Sequence, residues 1–232
     1  MNRRERLDYN PVINRPKLLL KNNKKIILWV LVNLEVWDPT LPQPRNVLPP
    51  PMNVPMLPDL PNWSWHEYGM RVGFWRILKA LKERKIRSTL ALNATVVDHY
   101  PETVLAAIKE NWEPMGHGYI QRPMHKVENQ FVDVKSAISK IEEFTKTKVI
   151  GWESPGLTET NETIDILSEN GIKYTANWPI DDQPQDLRVK NGERMVTLPY
   201  PVEINDVVMT SVQVHKSDEI LTRGKLQFDR LY

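Results

Sequence analysis

Cysteine is absent from the 232-residue chain. That absence removes disulfides, thiolate metal sites and cysteine nucleophiles together, so any metal would need His, Asp or Glu ligands. Long apolar runs are also missing. The best one, IILWVLV from Ile26 to Val32, falls far short of the ~20 residues that a membrane helix needs, and Asn33 and Glu35 follow it directly. No small-residue cleavage site comes after it, so it does not read as a signal peptide. A surplus of one charge is lacking too: 31 Lys and Arg against 29 Asp and Glu leave +2, too little to imply a nucleic-acid or anionic-membrane partner. The cluster Arg3-Arg4-Glu5-Arg6 then reads as a solvated terminus. Neither a G-x-G-x-x-G after a strand nor a G-x-x-x-x-G-K-[ST] occurs, so a phosphate-cradling site lacks support. The expectation is a cytoplasmic protein long enough to bury a core without staples.

What the chain does contain is alternation of buried strands with helices. IILWVLVNLEV, with no polar alternation, reads as a strand covered on both faces. IRSTLALNA, WEPMG, KVIGWESPG and IKYTANW supply four more strands, and RMVTLPY and VVMTSVQV look β-like. Between them, helical spacing spans Trp65 to Arg84, with Val72, Trp75, Leu78 and Leu81 as its apolar positions. Further helices are YPETVLAAIKEN, the stretch from Phe131 to about Lys146, and ETIDILSENG, stopped by Gly171. A last helix begins near Ser217. Strand–helix alternation with short connections implies a parallel sheet, as an open doubly wound sheet or a barrel. One stretch breaks the pattern: nine of the 23 residues from Pro39 to Pro61 are proline. It must be a stiff loop, and Met52, Val54, Met56, Leu57, Leu60 and Trp63 suggest that it packs down onto the domain.

In parallel α/β folds, function gathers beyond the carboxyl ends of the strands. Those places hold Asn33 and Glu35, Asn93, His117, the stretch Trp152 to Gly156 including Pro155, then Trp178, Asp181 and Asp182. Glu203, Asn205 and Asp206 form a later polar cluster. Carboxylates, a histidine, amides and tryptophans without a glycine loop suit hydrolysis with acid–base help, with or without a metal. Arg71, between Gly69 and Gly73, suits a buried pair with a carboxylate such as Glu35 or an acidic substrate group. His66 and His99 read as structural or exposed, and His215 as a surface residue.

The blocks VNLEVWDP, WHEYGMRVGFWRIL, STLALNA, WEPMGHGY, GWESPGLTET, NWPIDDQP and LPYPVEINDV resemble, in order, those of the polysaccharide deacetylase (NodB-homology) family, and look closest to its allantoinase-like branch. The resemblance covers roughly residues 24–232. It implies a distorted (β/α) barrel, seven-stranded or incomplete, with parallel strands and outer helices. It also implies a hydrolase of non-peptide carbon–nitrogen bonds, in which water attacks an amide carbonyl of a small amide or N-acetylated substrate. Glu35, His117 and Asp182 would be catalytic. Asn33, Arg71, Asn93, Trp152, Pro155, Trp178, Asp181, Glu203, Asn205 and Asp206 would bind substrate. A divalent metal such as zinc would sit on Glu35, His117 and His125, with metal independence as the alternative.

The sequence departs from the family pattern at several positions. Gln121 stands where the second histidine of a His-x-x-x-His pair belongs. Leu34 replaces an expected aspartate base, and Asn177 an acidic residue. The resemblance further implies a last strand with a His-Pro pair and closing helices beyond QFDRLY. The expected division is therefore an N-terminal extension, 1–23, and a single NodB-like domain, 24–232, lacking those elements. Exposed strand edges would favour self-association. The competing expectation is a catalytically silent protein of the same fold that binds a small amide or sugar.

Overall fold

The computed structural model describes residues 1–41, 43 and 47–232; the expected loop residues 42 and 44–46 lie outside it. Seven strands form one sheet. These are β1 (Leu31–Leu34), β2 (Thr89–Leu92), β3 (Glu113–Gly116), β4 (Gly151–Trp152), β5 (Tyr174–Thr175), β6 (Gln185–Leu187) and β7 (Met195–Thr197). Their spatial order is β1-β2-β3-β4-β5-β7-β6. Every pairing is parallel except β6 with β7. The sheet does not close, so β1 and β6 are its edges. This is the parallel α/β architecture of the incomplete-barrel expectation, with one antiparallel edge strand added.

The connections explain the parallel order. β1 is followed by α1 (Leu60–Tyr68), a π turn at Gly69–Gly73 and α2 (Phe74–Glu83). β2 is followed by α3 (Val96–His99) and α4 (Pro101–Lys109), β3 by α5 (Gln130–Thr145), and β4 by α6 (Thr163–Glu169). Each helix turns a buried stripe to the sheet: Val104 and Ala107 from α4, Val134, Ala137, Ile138 and Ile141 from α5, Ile164 and Leu167 from α6. All belong to one core with Leu90, Leu92 and Trp152 of the strands. On α2 the core face is Phe74, Leu78 and Leu81, a spacing of four and three residues. Trp75 is 40% exposed and falls outside that face.

Two close approaches fix the middle of the sheet. A Cβ on Gly116 would come within 2.5 Å of the Trp152 ring, and one on Gly151 within 2.2 Å of the Tyr174 ring. Glycine lets both aromatic rings lie flat across the neighbouring strand. Gly171, at φ +86°, ends α6 in the left-handed conformation its helix stop requires.

Several expectations are corrected. VVMTSVQV is a π turn at Val208–Val212, not a strand, and α7 (Glu219–Leu231) follows. Met52, Val54, Met56, Leu57 and Leu60 are exposed rather than packed down. That loop is held instead by polar contacts: the Asn62 side chain brackets the backbone of Leu48, accepting from its N–H at 2.9 Å and donating to its carbonyl at 3.0 Å. The N-terminal basic cluster is not wholly solvated. Arg6 is 1% exposed, and its guanidinium grips both Asp165 oxygens at 3.0 and 2.6 Å and the carbonyls of Arg188 and Asn161 at 2.9 and 2.6 Å. Among the described residues no helix is long and apolar enough to cross a membrane.

Candidate active site

Because β1 to β5 run parallel and nearly in register, the residues just past Leu34, Leu92, Gly116 and Trp152 come together at one end of the sheet. His117 stands at the centre and is 1% exposed. Its Nδ1 lies 2.7 Å from the backbone carbonyl of Glu153 and its Nε2 3.2 Å from Glu35 Oε1. A carbonyl only accepts, so Nδ1 carries a proton, and Nε2 is the atom turned to the carboxylate. Burial alone would push the His117 imidazole down. The hydrogen bond to Glu35 and the negative fields of Glu153 and Glu35 outweigh it and hold the imidazole above its ordinary value.

Glu153 lies inside the expected strand-end stretch Trp152 to Gly156 but is given no role of its own by the sequence. It is 3% exposed, with Oε2 3.6 Å from His117 Nδ1 and accepting from Asn33 Nδ2 at 2.9 Å. Burial pushes its carboxyl up, against the pull of His117 and of the Asn33 hydrogen bond. The Tyr200 hydroxyl also reaches it and accepts from Asn205 Nδ2 at 2.8 Å. The one available signal was a carboxylate at the end of a strand, in the same stretch as Trp152 and Pro155.

The amide residues split by role. Asn33 serves Glu153. Asn93, completely buried, is a brace: its Oδ1 accepts from Val36 N–H at 2.9 Å, and its Nδ2 donates to the His117 carbonyl and to Gln121 Oε1, the latter at 2.9 Å. It holds the ends of β1 and β3 in place and does not face the cavity. Asn177 does the same for β4 and β5, accepting from Ser154 N–H at 2.7 Å and donating to Glu159 at 2.6 Å.

The site opens into a cavity of about 2360 Å³, lined among others by Glu35, His117, Glu153, Asn33, Pro155, Asp181, Asp182, Tyr200, Asn205 and Asp206. That is larger than an ordinary small-ligand pocket, because it extends along the open β1 side to α7. Within it the Glu35 side chain is 24% exposed, which makes Glu35 the group presented to a ligand. His66 lines the cavity too, stacked on Trp37 at 5.1 Å. Burial pushes its imidazole down, against the nearby charges of Glu35 and Asp59.

Other expected site residues lie outside the cavity or apart from the His117 cluster. Arg71 is 75% exposed and pairs with Glu67, one helical turn away, at 3.2 Å. Its flanking glycines are not in close contacts, so the inference from them fails. Trp152 is completely buried against Gly116, a core residue by position. Trp178 donates from its indole N–H to Glu159 at 2.8 Å and packs on the core. Glu203 is exposed, and only its backbone carbonyl is engaged, accepting from Arg223 at 3.1 Å. Asp182 lines the cavity as an exposed residue, and no hydrogen bond joins it to Glu35 or His117 among the described residues.

The expected metal triad does not assemble. His125 is exposed on a 3-10 turn and does not line the cavity. Gln121, in the place of the second histidine, has its side-chain oxygen occupied by Asn93. Among the described residues no three His, Asp or Glu side chains group as metal ligands. Glu35 and His117 alone offer two donors, one fewer than a catalytic zinc usually takes from protein.

An open parallel α/β sheet with a carboxylate–imidazole–carboxylate cluster at its strand ends defines the class. The family model described as polysaccharide deacetylase matches residues 65–175. A curated Schizosaccharomyces pombe protein named "Putative polysaccharide deacetylase" is 23% identical over 187 residues, 73% of this chain and 58% of that one. A crystal structure of Puue allantoinase superposes with a TM-score of 0.69 at 27% identity, over 75% of this chain and 58% of its own. A Pseudomonas aeruginosa PAO1 structure titled "probable Polysaccharide deacetylase" gives 0.68 at 26%, over 78% and 60%. The chain is similar to these proteins and shares the NodB-type fold of the solved structures, and it spans about three-fifths of their length.

Proposed function

We propose that the cavity is the active site of a hydrolase acting on non-peptide carbon–nitrogen bonds, with a small amide or N-acetylated substrate. The observation that carries this reading is the His117–Glu35 contact, with Glu35 facing the cavity. In the reaction Glu35 takes a proton from water as the water oxygen attacks the amide carbonyl carbon. The tetrahedral oxyanion then collapses, the C–N bond breaks, and Glu35 returns the proton to the leaving nitrogen. His117, buried and hydrogen-bonded on both sides, holds the Glu35 carboxylate in place and does not itself reach substrate. Asp182 on the cavity wall belongs to the same reading as a residue that meets the substrate. No step runs through a metal, since the donors present do not make a three-ligand site.

The likeness to the allantoinase structure supports a small amide over a polymer, as do Pro155, Trp65 and Tyr200 in the lining. One cytoplasmic domain that self-associates through the free β1 edge completes the reading. The test is purified chain incubated with allantoin and with N-acetylglucosamine, beside Glu35→Gln. Turnover by the wild type that Glu35→Gln abolishes supports it. A folded sample that turns over neither, with or without added zinc, overturns it in favour of a silent binding protein.

A further inference from the structure

We propose that Arg15 is a carboxylate-binding residue of this cavity, and that the site's ligand carries an acidic group as well as its amide. The inference goes beyond the hydrolase reading and rests on it only where the ligand is called a substrate.

The N-terminal segment crosses the cavity, and Val12, Arg15, Lys17 and Leu18 line it. The Arg15 side chain is 9% exposed. Its Nη1 lies 2.8 Å from Asp181 Oδ2, close enough for an ion pair but out of line for a hydrogen bond. Both Nε and Nη1 are buried with no hydrogen-bond acceptor among the described residues. A buried donor left in that state costs about 1–3 kcal/mol, and such groups are few in folded proteins.

The simple alternative is a tether that pins the N-terminal segment to the loop after β5. Arg6 shows what a tether looks like in this same chain: its guanidinium is filled by two carboxylate oxygens and two backbone carbonyls. Arg15, largely hidden as well, has one carboxylate oxygen at its Nη1 and no acceptor at its buried Nε. The side chains with buried unpartnered atoms among the described residues are Arg15, Gln43 and His66, and all three line this one cavity. Unmet polarity among the described residues falls on the lining of this cavity.

The chemistry of the unfilled group selects the ligand. A guanidinium is planar, permanently charged, and presents parallel donors that match both oxygens of a carboxylate. A neutral carbonyl offers a single oxygen and no charge. Asp181 orients Arg15, and Lys17 also lines the cavity. The ligand this assigns is an acid bearing an amide or ureido group, with the amide for Glu35 and the carboxylate for Arg15, both of which line the cavity.

The test is calorimetric titration with N-acetylglycine and N-acetylglycinamide, probes that share the acetamido group and differ in carboxylate against carboxamide. The wild type should bind the acid at least about tenfold more tightly, the size of a charge-assisted hydrogen bond. Arg15→Gln should lose that preference, and Arg15→Lys should keep part of it. Equal binding of the two probes by wild type, or no binding of either, overturns the proposal without any variant. So does a preference that survives in a folded Arg15→Gln. Binding needs no turnover, so the two readings fail separately. An acid preference in a chain that hydrolyses nothing keeps this inference and sinks the hydrolase. Hydrolysis of neutral amides without acid preference does the reverse.

Discussion

Nε2 of His117 lies 3.2 Å from Oε1 of Glu35, across 82 residues of chain. The contact exists because both residues follow the last residue of a parallel strand, and β2 between them aligns Leu34 with Leu92 and Leu92 with Gly116. Glu153 then closes the other side of the imidazole, its backbone carbonyl 2.7 Å from Nδ1. The ring is held at both nitrogens while only Glu35 is open to the cavity.

Glu35→Gln should therefore remove activity and leave the fold. The amide cannot take a proton from water, so kcat should fall by about 10²–10⁴-fold, the contribution typical of a positioned base. The same change takes away the negative charge that helps hold His117 up, so its imidazole should titrate at lower pH. Proton NMR of the ring checks this independently of any assay.

Stability should fall as pH rises above about 6.5. His117 is held above 6.5 in the folded protein, so its contribution is complete below about 6.5 and is lost as pH climbs through the raised value. Glu153, held above 4.5, acts with the same sign: its contribution is lost as pH rises through its own raised value. Urea midpoints measured from about pH 6 upward should decline, and His117→Asn should flatten the slope.

Where the sequence was legible, periodicity and strand ends carried the information. An uninterrupted apolar run located β1, and the strand-end rule placed Glu35 and His117 together. It failed where a side chain's direction decides. Trp152 and Glu153 are neighbours, so they point to opposite faces of the extended chain. The tryptophan went into the core, and the carboxylate into the site. Arg71 sits in a π turn, where ordinary helical spacing does not say which way a residue faces. The role of Arg6 rests on a partner 159 residues away, and no local pattern reports that.

Arg71→Ala and Trp152→Ala should separate surface from core at two positions where a binding role was expected. Arg71 makes an exposed pair one helical turn apart, worth about 0.2–1 kcal/mol, and lies outside the cavity. Its loss should change neither KM nor the melting temperature appreciably. Trp152 is completely buried, and its truncation should cost about 3–5 kcal/mol. A large KM effect from Arg71→Ala, or a Trp152→Ala protein of wild-type stability, would reverse these placements.

Arg6→Met should be one of the most destabilising changes in the N-terminal segment. Arg6 and Asp165 are 1% and 5% exposed and 2.6 Å apart. Removing the guanidinium strands a buried carboxylate, which costs about 3–5 kcal/mol. Burial would raise the Asp165 carboxyl, but its hydrogen bonds and the Arg6 charge hold it below 3.8. Its contribution is therefore present above about 3.8 and lost as pH falls through the lower folded value. The variant should lose this acid limb together with its stability. Adding Asp165→Leu removes the stranded charge and should recover part of the loss. Urea denaturation of wild type, single and double variants across pH measures all three. A single variant no less stable than wild type would show that the N-terminal segment is not anchored by this pair.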